Sequence, residues 1–89
     1  MLKKRVLERI VRGFSNHRRI QMLDLIEKNP ELSVREIADS LKINFKTASE
    51  HTRRLTIAGL IMKRSQANNI RHKLSERGLT ILKFLRTLE

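Results

Sequence analysis

Side chains that could hydrogen-bond the edges of base pairs occur at helical spacing between residues 46 and 53. At about 100° per residue, Lys46, Ser49, Glu50 and Arg53 lie on one side of a helix. Arginine or lysine can bond guanine O6 and N7, glutamate can accept from cytosine N4, and serine can bond several bases. For each of them the alternative is an ordinary solvated polar group. With two residues at the margin of this face, the candidate DNA-contacting set is Lys46, Thr47, Ser49, Glu50, Arg53 and Arg54.

Residues 33–58 predict the two helices and the sharp turn that would present this set. Ser33 can cap the first helix, and Glu36 three residues later can complete a capping box. Asn44 can cap the second helix, which ends at Gly59. A second helix held in this way can lie in the major groove of DNA. An ordinary helical hairpin within a core would carry the same signals, so the segment that follows decides between them.

Residues 60–74 predict a short β-hairpin. Residues 60–65 form a plausible first strand, and residues 70–74 alternate apolar and basic side chains as a half-buried second strand does. Asn68-Asn69 marks the turn, since asparagine tolerates left-handed backbone. A hairpin directly after two such helices indicates a winged helix-turn-helix, in which the hairpin is the wing.

The predicted wing is strongly basic. We expect Leu60 and Met62 on one face of the first strand and Lys63 on the other, and we expect Arg71 near the tip, within reach of a minor groove. Cations on a protruding hairpin suit contacts with phosphates, which position a protein on DNA without specifying sequence. The candidate phosphate-binding residues of the wing are Lys63, Arg64, Arg71 and Lys73.

The charge balance indicates a polyanionic partner. The chain has 20 Lys plus Arg against 9 Asp plus Glu, a formal net charge of +11. A membrane surface is the competing polyanion, but no stretch approaches the length of a spanning segment. Aromatic residues make up only 3% of the chain, fewer than a stacking platform for single-stranded nucleic acid needs. Double-stranded DNA is therefore the expected partner.

Length and cysteine content bound what else the chain could be. At 89 residues we expect one domain, 1–89, without room for a separate ligand-binding domain. No cysteine is present, which excludes disulfides and thiolate metal sites. The basic start leads into an amphipathic helix rather than a signal peptide, so we expect a cytoplasmic protein.

Apolar stripes predict further helices around the helix-turn-helix. Terminal helices are expected over about residues 2–14 and 76–88, and a more uniformly apolar central helix over residues 17–28. Pro30 prevents continuation of the central helix, and Glu31-Leu32 follows as a short extended segment. The predicted fold class is mainly α with a small β-hairpin. Its order is helix, helix, short extended segment, helix, helix, strand, strand, helix.

The terminal helices carry more apolar surface than a small core needs. A second copy of the chain is the simplest partner for the surplus, and two-fold DNA readers need a dimer to span two half-sites. The alternative is that the two terminal helices bury each other within one monomer. The predicted homodimer interface is centred on Val6, Ile10, Ile81, Leu85 and Leu88.

Several motifs resemble the ArsR-type family of small dimeric winged-helix transcriptional repressors. Residues 16–26 are similar to that family's second helix, a polar cap followed by arginine and an aliphatic run. Residues 36–41 followed by 47–51 resemble its helix-turn-helix, and residues 58–61 and 74–78 resemble the joints of its wing. MarR-type regulators share the same joints and are the near alternative. The resemblance implies a homodimeric repressor that binds double-stranded DNA.

The chain departs from the metal-sensing members of that family. Those members place two cysteines on the first helix of the motif, where this chain has Ser33 and Arg35. His17, His51 and His72 fall on three different elements without a partner at i+4, so an ordinary packed or surface histidine is the expected role of each. We expect no metal site and no cofactor, and the residues indicate no particular effector.

Two functional hypotheses remain open. The first is a sequence-specific DNA-binding regulator of transcription, acting as a homodimeric repressor. The second is a winged helix used as a protein-interaction or assembly module, with nonspecific nucleic-acid binding. The basic wing and the outward Lys46, Ser49 and Arg53 favour the first. An enzyme is not expected, because the sequence has no nucleophile–base pair, no paired-carboxylate cleft and no Gly-rich phosphate loop.

Overall fold

The computed structural model describes residues 1–89 as five helices and one two-stranded antiparallel hairpin, in the order expected from the sequence. None of the helices is long and apolar enough to cross a membrane. The elements are α1 Lys4–Phe14, α2 His17–Lys28, α3 Val34–Leu41, α4 Phe45–Ile57, β1 Ile61–Gln66, β2 Asn69–Leu74 and α5 Glu76–Thr87.

Local side chains set the boundaries of α3 and α4. Ser33 Oγ accepts the backbone N–H of Glu36 at 3.1 Å, and the Glu36 carboxylate accepts the backbone N–H of Ser33 at 2.9 Å. Lys42 then ends α3 in the left-handed region, with φ of 55°. Asn44 Oδ1 accepts the backbone N–H of Lys46 at 2.7 Å and so begins α4. The capping box, the turn and the second cap are confirmed, since each satisfies N–H groups that a helix start leaves free.

Helix α2 lies at the centre of the molecule. It contacts α1, α4, α5 and β2. Met22, Leu23 and Ile26 are almost completely buried, as the apolar residues spread around this helix predict. Apolar burial is the main stabilising term in folding, so α2 forms the centre of the core that these four elements share. The core consists of Ile10, Met22, Leu23, Ile26, Ile37, Ala38, Ala48, Leu55, Ala58, Leu60, Ile61, Leu74 and Leu82.

Two glycines allow close approach of the terminal helices to the rest of the fold. A Cβ at Gly13 would overlap the side chain of Ala58, where α1 crosses the end of α4. A Cβ at Gly78 would overlap the carbonyl oxygen of Leu60, where α5 crosses the start of the wing. These two crossings place α1 and α5 against the short connection between α4 and β1, at Ala58 and Leu60.

The pairing of β1 with β2 corrects the expected faces of the wing. Ile61 pairs with Leu74 and Lys63 pairs with His72, so these four side chains lie on the same side of the hairpin. Ile61 is buried, and alternation along the strand turns Met62 to the other side, where it is 49% exposed. The expectation that Met62 shares a face with the buried Leu60 is wrong because Leu60 lies before the strand, where the alternation of the strand does not apply.

The turn of the wing also differs from the expectation. It consists of Ala67 and Asn68, and Asn69 already belongs to β2. Ala67 takes φ of 54°, a conformation that glycine or asparagine adopts more readily than alanine. Arg71 pairs with Arg64 in the middle of the strands, so its predicted position near the tip is wrong.

The wing is attached to the connection between α2 and α3. The backbone N–H of His72 donates to the carbonyl of Leu32 at 3.0 Å, and the backbone N–H of Glu31 donates to the carbonyl of His72 at 2.9 Å. The short extended segment expected at Glu31-Leu32 therefore forms an isolated bridge beside β2. This bridge fixes the position of the wing relative to the helix-turn-helix.

The terminal helices do not pack closely against each other. The close contacts of α1 are with α2 and α4, and those of α5 are with α2 and β2. Leu7 and Val11 remain exposed on α1, and Phe84 remains exposed on α5. The alternative in which the two helices bury each other within one monomer is therefore not the arrangement found.

The residues predicted for the homodimer interface differ in how accessible they are. Val6, Ile81 and Leu85 are partly buried, and Leu88 is exposed. Ile10 is only 6% exposed and belongs to the core of the single chain. Ile10 is therefore not available to a second chain as predicted, because α1 turns this side chain toward α2 and α4 rather than outward.

Candidate nucleic-acid interface

One side of α4 is buried and the other is open to solvent. Ala48, Thr52 and Leu55 face the core. Thr52 is buried in the core, and its hydroxyl group is satisfied because Oγ1 donates to the carbonyl of Ala48 at 2.7 Å. This is the division expected from the helical spacing. The exposed side carries all of the predicted residues, Lys46, Thr47, Ser49, Glu50, Arg53 and Arg54.

The carboxylate of Glu50 holds both arginines of that exposed side. Arg53 donates to it from Nε at 3.0 Å and from Nη2 at 2.7 Å. Arg54 donates to it from Nε at 3.2 Å. The hydrogen bonds from Arg53 lower the pKa of Glu50 to about 2, so this group is ionised at neutral pH. Arg53 must therefore leave Glu50, at least in part, to form a bidentate contact with guanine.

Arg19 is a buried arginine that connects α1, α2 and α4. Local sequence patterns do not reveal it. Arg19 is only 9% exposed. Its Nε donates to the carbonyl of Gly13 at 2.8 Å, and its Nη1 lies 3.0 Å from Nδ1 of His51. The carbonyls at the end of α1 carry partial negative charge, which compensates the guanidinium. Burial lowers the pKa of His51, and the nearby Arg19 lowers it further, so the ring is neutral and can accept this hydrogen bond.

The four cations predicted for the wing are not equivalent. Arg64, Arg71 and Lys73 lie on one side of the hairpin, and Lys63 lies on the other side together with His72. Arg64 forms an ion pair with the Glu31 carboxylate, with an Nη2–Oε2 distance of 2.9 Å. Nη1 of Arg71 donates to the carbonyl oxygen of Glu31 at 2.9 Å. Lys63 and Lys73 are therefore the wing cations most available to phosphates, and the two arginines also hold the wing in place.

The start of α4 is supported by a cation–π contact that was not expected from the sequence. The guanidinium carbon of Arg35 on α3 lies 5.1 Å from the centroid of the Phe45 ring. Phe45 is half-exposed, so it lies at the rim of the exposed side of α4. Arg35 adds a positive charge to this rim, close to the first turn of the helix.

The three histidines lie on α2, α4 and β2, and no group of three or more His, Asp or Glu side chains is placed to hold a metal ion. His72 is completely buried, and its Nδ1 lies 2.8 Å from the carbonyl oxygen of Leu32. Burial lowers the pKa of His72, although the hydrogen bond to Leu32 acts in the opposite direction. His72 is therefore a packed histidine that joins the wing to the α2–α3 connection.

Residues 15–62 match the family described as winged helix-turn-helix DNA-binding. No curated protein sequence matches the chain. Among solved structures, the chain is similar to the homodimeric winged helix-turn-helix DNA-binding domain of a possible ArsR-family transcriptional regulator from Mycobacterium bovis. The identity is 25% and the TM-score 0.85, over 93% of this chain and 77% of that chain.

Two further solved structures are similar over nearly the whole chain. HlyU from Vibrio cholerae is 28% identical, with a TM-score of 0.83 over 99% of this chain and 97% of that chain. The transcriptional regulator HlyU from Vibrio vulnificus is 29% identical, with a TM-score of 0.75 over 92% of this chain and 85% of that chain.

The family match spans more than half of the chain and includes α2, both helices of the motif and the start of the wing. It confirms the winged helix-turn-helix fold predicted from the capping residues, the helical spacing and the hairpin. The ArsR-type resemblance agrees with the similarity to the Mycobacterium bovis domain. The chain belongs to the winged helix-turn-helix DNA-binding family.

Proposed function

We propose that the protein is a homodimeric regulator of transcription of the ArsR type, which binds a specific sequence in double-stranded DNA. The observation that carries the proposal is the exposed side of α4, where side chains able to hydrogen-bond base edges are open to solvent and a basic wing follows in the chain. The protein acts by binding rather than by catalysis. The repressor role is proposed from the ArsR-type resemblance, and a cytoplasmic location is part of the same proposal.

The exposed side of α4 supplies the sequence-reading step. Lys46 and Ser49 lie on the outward face of the first two turns, in the part of a recognition helix that enters the major groove most deeply. Arg53 lies further along the same face, with Glu50 beside it. An arginine and a glutamate side by side can contact guanine and cytosine of one base pair or of neighbouring pairs. These four side chains are the proposed base readers.

The wing supplies affinity. Lys63 and Lys73 are exposed and lie on opposite sides of the hairpin, so they can contact phosphates of both strands that border a groove. Arg64 is exposed and can exchange Glu31 for a phosphate. Contacts of this kind are independent of sequence and depend strongly on salt, because each releases condensed counterions.

Two observations support a homodimer. The structure leaves Leu7 and Val11 exposed one turn apart on α1 and Phe84 exposed on α5, and exposed apolar surface on a helix can serve as an interface. The similar Mycobacterium bovis domain is homodimeric. A two-fold arrangement places two recognition helices about one helical turn of DNA apart, so the expected target is a palindromic site.

The proposal is tested by comparing two substitutions on a preferred duplex and on random DNA. Lys73→Ala should weaken binding to both duplexes by the same factor and make the salt slope shallower by about 0.9 for each phosphate that is no longer bound. Arg53→Ala should cost about 1–3 kcal/mol on the preferred duplex and much less on random DNA. Fluorescence anisotropy at several salt concentrations measures both effects.

Equal loss of affinity on both duplexes for Arg53→Ala would show that α4 does not read bases in the proposed way. The assembly-module hypothesis would then account better for the basic surface. Ser15→Ala is a suitable control, because Ser15 lies between α1 and α2, outside the exposed side of α4 and the wing. This variant should leave both affinities unchanged.

A further inference from the structure

A groove of about 640 Å³ runs between α1 and the second half of α4. Five of its nine lining residues are arginines, and Gly13, Ile57 and Ala58 form an apolar part of it. The groove includes the point where Gly13 brings the two helices into contact at Ala58. The arginines that line the groove are Arg5, Arg9, Arg12, Arg53 and Arg54.

Helical spacing places three of these arginines in one row. Arg5, Arg9 and Arg12 are separated by four and three residues, so they lie on one side of α1 and form what we call the α1 arginine row. The exposed Leu7 and Val11 lie on the opposite side of the same helix. The side of α1 that borders the groove is therefore separate from the apolar side proposed for the homodimer.

The groove holds more positive charge than its own carboxylates neutralise. Glu8 is the only acidic residue in its lining, and it pairs with Arg12 at 3.4 Å. Arg5 and Arg9 are exposed, and neither takes part in an ion pair of the chain. Guanidinium groups gathered at one site repel one another and bind phosphate oxygens in bidentate fashion. The lining therefore fits an anion with several phosphate groups.

We propose that the α1 arginine row is a third DNA-contacting element, which binds backbone phosphates beside the groove that α4 reads. This rests on the proposed function. Arg53 lies both on the exposed side of α4 and in the lining of the α1–α4 groove. A duplex that reaches Arg53 therefore passes the mouth of the groove, where Arg5 and Arg9 are without partners. Successive phosphates of that duplex supply the missing negative charge.

The test compares the double variant R5Q/R9Q with the matched double variant K4Q/K83Q. Both remove two exposed positive charges that have no ion-pair partner. Lys4 lies on α1 away from the arginine row, and Lys83 lies on α5. Binding is measured against salt concentration on a duplex limited to the preferred site and on a duplex extended by about one helical turn at each end.

On the extended duplex, R5Q/R9Q should make the salt slope shallower by about 1.8 for each bound chain, since each neutralised phosphate contributes about 0.9. On the short duplex, which has fewer phosphates beside the groove that α4 reads, the difference between the two double variants should be smaller. Equal slopes for the two variants on the extended duplex would overturn the proposal. Failure of the unaltered chain to bind any duplex would instead overturn the proposed function.

A last binding experiment uses inorganic tripolyphosphate, because a free phosphorylated molecule offers the same phosphate oxygens as a DNA backbone. Its binding to each variant is measured by calorimetry in the absence of DNA. If R5Q/R9Q abolishes tripolyphosphate binding but matches K4Q/K83Q on the extended duplex, the groove is a small-anion site and the DNA assignment is overturned. A salt slope on the extended duplex that is shallower for R5Q/R9Q than for K4Q/K83Q supports the DNA assignment.

Discussion

At the residue scale, two carboxylates limit the positive charge that the interface presents to DNA. Glu50 holds Arg53 and Arg54 on α4, and Glu31 holds Arg64 on the wing. These exposed pairs contribute little to stability, because water and salt screen them. Their effect is on binding, since an arginine that contacts a phosphate or a base must first give up its carboxylate.

The substitution Glu50→Gln tests this competition. Removing the carboxylate frees Arg53 and Arg54 and raises the net charge by one, so affinity for random DNA should rise several-fold at moderate salt. Discrimination between the preferred and random duplexes should fall, because the neutral amide no longer selects cytosine. Anisotropy titrations with both duplexes measure the ratio of the two affinities.

The matched control is Asp39→Asn, which removes an exposed acid on α3. A fall in random-DNA affinity for Glu50→Gln would contradict the account.

The buried histidine of the wing predicts how stability depends on pH. Burial lowers the pKa of His72 in the folded protein below the ordinary value of 6.5. The unfolded chain therefore binds a proton below pH 6.5 that the folded chain does not bind, and the folded state loses stability as the pH falls. The full contribution is present above pH 6.5. His51, whose pKa is also lowered, acts in the same direction.

Urea unfolding between pH 7.5 and pH 5 measures this dependence. The free energy of unfolding should fall with decreasing pH by at most about 1.4 kcal/mol per pH unit for each of the two histidines. His72→Gln should flatten the profile, although the variant is less stable at pH 7.5. An unchanged profile in His72→Gln would show that the histidine does not resist protonation in the folded state.

Single residues also show where sequence reasoning stops. The exposed side of α4 could be predicted, because its spacing is local and the helix is continuous. The contacts of Arg19 with His51 and of Glu31 with Arg71 join residues 32 and 40 positions apart. No local pattern distinguishes Arg19, which is buried, from the adjacent Arg18, which is only partly buried. The pairing of wing cations with Glu31 therefore becomes visible only when the chain is folded.

At the scale of elements, helix boundaries could be predicted closely and the hairpin less well. Asn16, Ser33 and Asn44 each cap a helix by bonding N–H groups two or three residues away, so the sequence itself encodes these boundaries. The strand register depends on where α4 ends and on how Leu60 packs under Gly78. Those are tertiary contacts, and they shift the turn to Ala67, which no turn preference predicts.

The crossing of α1 and α4 can be tested with a reciprocal pair of substitutions. Gly13→Ala places a methyl group against the side chain of Ala58 and should destabilise the protein by about 1–3 kcal/mol. Gly to Ala at an open helix position should instead stabilise, by about 0.5–1 kcal/mol. Thermal or urea unfolding measures the difference. The double variant Gly13→Ala with Ala58→Gly restores space and should recover part of the stability; no recovery would contradict this crossing.

At the scale of the whole molecule, the apolar sides of the terminal helices set the expected assembly. Phe84 on α5 is exposed in the single chain, so Phe84→Asp should leave the fold intact but prevent dimer formation. Leu79→Asp is the matched control, because Leu79 is equally apolar and exposed but lies on the opposite side of α5. Sedimentation at micromolar concentration should show dimers for the unaltered chain and Leu79→Asp, and monomers for Phe84→Asp. An unaltered chain that stays monomeric would exclude the proposed assembly.

The net charge of +11 makes some binding to any DNA unavoidable, so specificity is the property that defines the proposed function. The most direct measurement selects bound duplexes from a random pool and compares the selected duplex with a scrambled duplex of the same length and composition. At physiological salt, the unaltered chain should bind the selected palindromic duplex at least about 10³-fold more tightly. Equal affinities for the two duplexes would contradict the account of α4 as a base-reading helix.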